Sequence, residues 1–115
     1  TVLYDFPASQ CALARIRDDE YPVAERFELY VGSIEMANGY HELNDAEEQA
    51  LRFQSDLIRR AGKGLRQPAL DRRLLSSLSS LPDCSGVAMG IDRLLMALLD
   101  VQSIAEVVSF DFSRA

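Results

Sequence analysis

At 115 residues the chain has room for one domain with a real core, and 48% hydrophobic with 26% charged residues is an ordinary globular balance. A net charge of -6 argues against a nucleic-acid-binding surface, which needs a basic stripe, but leaves room for one local cationic pocket. No apolar run approaches a membrane span, and no basic stretch followed by an apolar one marks a leader, so a cytoplasmic protein is expected.

Thr1-Val2-Leu3-Tyr4 opens directly as a strand, which suggests a piece of something longer. The strand closes at Pro7. Ala8 to Ile16 reads as a short helix or turn with Leu13 and Ile16 inward. Arg17-Asp18-Asp19-Glu20 reads as a solvated loop. Cys11 and Cys84 stand in no CxxC or Cys/His cluster, so no zinc site is expected, and idle thiols are expected rather than a disulfide.

The clearest strand signal follows. Phe27, Leu29 and Val31 alternate with Arg26, Glu28 and Tyr30. Gly32-Ser33 then separates this run from Ile34 and Met36, the pattern of a two-residue type II′ hairpin. In that register Val31 faces Ile34, Tyr30 faces Glu35 and Glu28 faces Ala37. Glu28 and Glu35 become diagonal neighbours on one face, with backbones roughly 7–8 Å apart. Two such carboxylates repel unless a cation sits between them, and Mg²⁺ shared with nucleotide phosphates is one candidate. Two glutamates on a solvent-facing sheet surface are the alternative. Asn38-Gly39 is expected to bend or bulge the second strand, and Tyr40-His41-Glu42 to continue it. His41, the only histidine, has no sequence neighbour that would make it catalytic.

A helix should start at Asn44-Asp45-Ala46-Glu47-Glu48, a capping-box-like opening with acidic residues in the first turn. Its expected buried stripe is Ala50, Phe53, Leu57, Ile58 and Ala61, and Gly62 and Gly64 end it. Pro68 separates it from a second helix starting at Leu70 or Asp71, with Leu74, Leu75, Leu78 and Leu81 inward. Gly86 to Met89 then reads as a short buried strand that turns at Gly90 into a helix ending near Asp100, with Ile91, Leu94, Leu95 and Leu98 on one face. Backbone N–H groups and a positive dipole end meet Arg93 there, so the junction is either an anion site or only a packing joint. Ser103 should cap a short turn through Glu106, and Val107, Val108 and Phe110 should form a last strand. Consecutive antiparallel strands with helices inserted late give an α+β fold.

Three segments together resemble a known family: residues 26–30, residues 35–45, and Gly86 to Leu95 with its Gly-x-Asp-Arg-Leu helix start. They are similar to the C-terminal half of a class II lysyl-tRNA synthetase catalytic domain, part of an antiparallel sheet flanked by helices, with motif 3 over residues 86–98. Within that superfamily, residues 6–10, 38–43 and 82–88 look like the truncated lysyl-tRNA synthetase paralogues that modify elongation factor P. His41 and Ala88 stand where lysyl-tRNA synthetases usually carry Ser and Gly.

The resemblance implies ATP and Mg²⁺ as cofactors, (R)-β-lysine or lysine as substrate, and elongation factor P rather than tRNA as acceptor. It implies a homodimeric parent. Glu28 and Glu35 match the Mg²⁺–ATP carboxylates, and Gly90 and Arg93 match the nucleotide-binding positions of motif 3, with Glu35 and Arg93 closest to the reaction. Asn38 and Glu42 match the amino-acid pocket, and Ala88 its floor, where a methyl removes space that glycine would leave. The family's motif 1, which makes most of the dimer interface, and motif 2, whose arginine holds the α-phosphate, have no match in residues 1–115. A fragment of a genuine lysyl-tRNA synthetase and a non-catalytic nucleotide-binding or assembly fragment are the rival readings.

Overall fold

The computed structural model describes residues 1–114, which fall into two compact units, one of residues 1–41 with the segment from Ser85 onward, the other Glu42–Cys84. The first unit is built on an antiparallel sheet of β1 (Val2–Pro7), β2 (Ile16–Arg17), β3 (Val23–Val31), β4 (Ile34–His41) and β5 (Ser85–Met89). The strand order is β1-β3-β4-β5, with β2 also paired to β3. Sheet and helices together give the expected α+β class.

The hairpin between β3 and β4 turns as its sequence dictates. Gly32 takes φ +59 and Ser33 does not, the type II′ pattern. β1 bulges between Tyr4 and Phe6, where Asp5 sits at φ 56 and accepts a hydrogen bond from Arg17 Nη2 at 3.0 Å. Arg17 therefore belongs to β2 rather than to the charged loop, and it also reaches Glu25 at 3.4 Å. Ala8–Gln10 is a single 3-10 turn. Ala14, not Leu13 or Ile16, is the residue buried after it, because Ala12 at φ 48 turns the chain and leaves those two side chains exposed.

After β5 the chain enters α3 (Ile91–Leu99), which packs against β4 and a 3-10 turn at Ile104–Glu106. Asp100 ends α3 in the left-handed region, and Ser103 with Glu106 closes a capping box. Two expectations fail here. Gly86–Met89 is not a buried strand: β5 ends the strand order with β4 as its one neighbour among the described residues, and Val87 and Met89 are exposed. Ile91, Leu95 and Leu98 are exposed with them. Nor do Val107, Val108 and Phe110 form a strand, since the Val107 and Val108 amides both donate to the Ile104 carbonyl at 3.1 Å and close the turn instead.

In the second unit, α1 (Ala46–Gly62) starts at Asp45, whose carboxylate accepts from the Glu47 and Glu48 amides, and α2 (Arg72–Leu78) starts at Asp71 in the same way. Gly64 at φ +65 ends α1. The stripe of α1 is shorter than its sequence suggests. Gln49 is buried and Ala50, Phe53 and Leu57 half-buried, whereas Ile58 and Ala61 face out. In α2, Leu78 is buried and Leu74 exposed. Among the described residues the buried hydrophobic ones are Ala14, Ala24, Met36 and Ala37 in the first unit and Leu43 and Leu78 in the second. No helix among the described residues is long and apolar enough to cross a membrane, and both thiols are free.

Candidate functional site

Cross-strand partners share a sheet face, so the register fixes which side chains meet. Arg26 pairs with Tyr40 and Glu28 with Asn38, and across the next ladder Asn38 pairs with Ala88 and Tyr40 with Gly86. Near the turn Val31 pairs with Ile34 and Tyr30 with Glu35. One face of β3, β4 and β5 therefore carries Arg26, Glu28, Tyr30, Glu35, Asn38, Tyr40 and Ala88.

The expected pairing of Glu28 with Ala37 is corrected by one residue. Leu29 pairs with Ala37 while Tyr30 pairs with Glu35, so Met36 is an extra residue in β4. The bulge is here and not at Asn38-Gly39, which pairs regularly with Phe27–Glu28 and with Val87–Ala88. This shift matters chemically. In an unbroken strand Glu35 and Asn38, three apart, would point to opposite faces. The bulge puts them on the same face, and Asn38 Nδ2 donates to Glu35 Oε1 at 3.0 Å.

The bulge also anchors the start of α3. The Gly90 amide donates to the Met36 carbonyl at 2.9 Å, and Arg93 Nη1 donates to the Glu35 carbonyl at 2.7 Å. The Gly90 N–H is thus already used, and the first-turn amides of α3 have no side-chain cap. At Gly90, with φ -77, an added Cβ would stand 3.3 Å from Arg93 Cδ and press on that side chain.

Each carboxylate already has a cation or donor beside it. Arg26 Nη2 donates to Glu28 Oε1, and the Tyr30 hydroxyl donates to Glu28 Oε2 at 2.6 Å. That bond, with burial and the Glu28 and Glu35 charges behind it, holds the Tyr30 phenol above its usual pKa of 10, and Arg26 opposes the shift. Glu35 is looser: Arg93 Nη1 lies 4.0 Å from Oε2, and Arg93 is half exposed. The arginines relieve the repulsion expected between the two glutamates. A carboxylate offers about four acceptor directions, so both keep free ones.

Among the described residues no group of three or more His, Cys, Asp or Glu side chains assembles into a metal cage. The two-carboxylate set fits Mg²⁺ nonetheless, since that ion usually keeps several waters and takes phosphate oxygens with only one or two protein carboxylates. Ala88 is exposed on this face. Glu42 opens the second unit, where its amide donates to the Cys84 carbonyl at 3.0 Å. His41 lies off this face, with Nδ1 2.6 Å from Glu25 Oε2. A cavity of about 270 Å³ in the second unit is lined by residues of 53–57 and 68–71 and includes none of the candidate residues. Arg26 and Tyr30 escaped sequence reasoning, although their i, i+2 spacing from Glu28 was the available signal.

Residues 1–114 match the family model of tRNA synthetases class II (D, K and N). The chain is 53% identical over its full length to the elongation factor P–(R)-β-lysine ligases of Salmonella dublin and Klebsiella pneumoniae subsp. pneumoniae. It spans 36% of the length of those relatives.

Proposed function

The chain belongs to the class II tRNA synthetases (D, K and N), and on that footing we propose that the complete protein activates (R)-β-lysine, or lysine, with Mg²⁺–ATP and passes the acyl group to a lysine side chain of elongation factor P. The observation that carries this reading is the bulged β4 strand, which gathers Glu28, Glu35 and Asn38 on one face and ties Arg93 to its carbonyl. The ligase names of the relatives support the substrate and acceptor.

Glu28 and Glu35 would hold Mg²⁺, which neutralises triphosphate charge and polarises the α-phosphoryl group when bound. Arg93 would lie against the nucleotide, presented by Gly90 at the open first turn of α3, and contributes a fixed positive fork. Asn38 would orient the amino acid and Ala88 would set the depth of the pocket, and by the family resemblance the Glu42 carboxylate would meet the substrate's ammonium group. Catalysis is then positioning and charge stabilisation, with no covalent enzyme nucleophile. Residues 1–115 alone would be inactive, because motif 2 has no match in them. The complete protein is taken to be a cytoplasmic homodimer that does not use tRNA.

ATP–pyrophosphate exchange by the complete protein tests the activation step. Exchange driven by (R)-β-lysine more strongly than by α-lysine is expected, and Glu35→Gln should raise the Mg²⁺ concentration needed for half-maximal exchange. No exchange with either amino acid, or an unchanged metal requirement in Glu35→Gln, would return this face to an ordinary solvated sheet surface.

A further inference from the structure

We propose that Arg26, together with Tyr30, positions the Glu28 carboxylate for the metal, an inference that rests on the metal-binding reading of Glu28. The three residues alternate along β3 and share its site face. Both Glu28 oxygens are engaged from within the strand, Oε1 by Arg26 Nη2 and Oε2 by the Tyr30 hydroxyl at 2.6 Å. Arg26 is itself fixed on several sides. Its Nη1 donates to the Gln10 carbonyl at 2.9 Å, and its guanidinium carbon lies 4.3 Å from the Phe6 ring centroid and 5.6 Å from that of Tyr40. Arg26 and Glu28 side chains are each only 13% exposed.

This arrangement is a poor device for stability alone. A largely buried ion pair gives back much of its attraction as desolvation, and Arg26 Nε is buried with no hydrogen-bond partner. What the pair does supply is direction. With one acceptor site of each oxygen occupied, the carboxylate plane is set and its remaining acceptor directions are fixed before any cation arrives. Glu35 has no comparable clamp, being held on Oε1 by Asn38 and facing a half-exposed Arg93 at 4.0 Å. The two glutamates thus divide the work, with Glu28 as the fixed ligand and Glu35 as the adjustable one. Lysine at position 26 would keep the charge but could not reach Glu28, Gln10 and the Phe6 face together.

The test uses the complete protein and a direct binding readout: Mn²⁺ bound in the presence of a non-hydrolysable ATP analogue, followed by the electron paramagnetic resonance signal of the free ion. Three variants are compared, Arg26→Lys, Tyr30→Phe and Glu28→Gln. Outer contacts to metal ligands typically change affinity by 10–100-fold, so Arg26→Lys should weaken Mn²⁺ binding by roughly tenfold and Tyr30→Phe by less. Should Glu28→Gln weaken binding while Arg26→Lys and Tyr30→Phe bind as the parent does, the positioning role is refuted and the metal reading stands. If Glu28→Gln itself binds Mn²⁺ normally, the metal reading fails and the inference falls with it. Tyr30→Phe removes one hydroxyl and no charge, so the clamp remains testable even if Arg26→Lys does not fold.

Discussion

Replacing Gly39 by alanine should destabilise the protein through space, not through backbone conformation. A Cβ at this position would lie 2.4 Å from Phe27 Cε1, 2.7 Å from Phe27 Cζ and 2.9 Å from the Gly86 carbonyl oxygen. The Phe27 ring is partly exposed and can swing away, but the Gly86 oxygen belongs to the β4–β5 ladder, where Gly39 pairs with Val87 and Tyr40 with Gly86. Relief therefore requires β5 to move away from β4 by about half an ångström. Overpacking of this kind costs about 1–3 kcal/mol, and alanine restores about 0.4–1 kcal/mol by restricting the unfolded chain. The net expectation is a loss of about 1.5 kcal/mol, read as a lower denaturant midpoint at unchanged slope. Pyrophosphate exchange should fall as well, because the same ladder sets Ala88 against Asn38. Gly62→Ala is the internal control. That glycine ends α1 with nothing within 4 Å of the added methyl, and the substitution should stabilise by about 0.5 kcal/mol. Equal midpoints for Gly39→Ala and the parent would refute the close approach of β4, β5 and Phe27.

Ala88→Gly should open the pocket floor and raise exchange with α-lysine relative to (R)-β-lysine, measured as the ratio of kcat/KM values; an unchanged ratio removes Ala88 from the specificity argument. The Tyr30 phenol should titrate above its ordinary value, seen as phenolate absorbance missing from Tyr30→Phe, and Glu28→Gln should bring it down. Because the folded-state pKa is raised, the stabilising contribution of this phenol is fully present below pH 10 and is lost as pH rises through the folded value. A Tyr30 that titrates at or below 10 would contradict the hydrogen bond to Glu28.

Much of this site is legible in the chain itself. The alternation of Arg26 to Val31, the Gly32-Ser33 turn and the strand–Gly90–helix junction each follow from local periodicity and turn chemistry. The extra residue at Met36 does not, because Ile34-Glu35-Met36-Ala37 carries no glycine or other local mark of a bulge, and the bulge shows only in the register with the partner strand. That single residue changes the partner of Glu28 from Ala37 to Asn38 and brings Asn38 to Glu35. The burial expected for Val87 and Met89 fails for a different reason, and the apolar face of Ile91 and Leu98 is exposed with them. Apolar periodicity reports a face suited to packing, and it cannot say whether the packing partner lies within these residues. Val107 and Val108 have strand-like side chains, but the capping box at Ser103 and Glu106 draws their amides into a turn.

The acceptor of the acyl group separates the proposed ligase from a tRNA synthetase. The most direct measurement is a competition in which the complete protein, Mg²⁺–ATP and labelled (R)-β-lysine are offered elongation factor P and tRNA together. Label on a lysine side chain of elongation factor P, with tRNA uncharged, is the predicted result. Preferential charging of tRNA would contradict it and make the chain part of a genuine lysyl-tRNA synthetase.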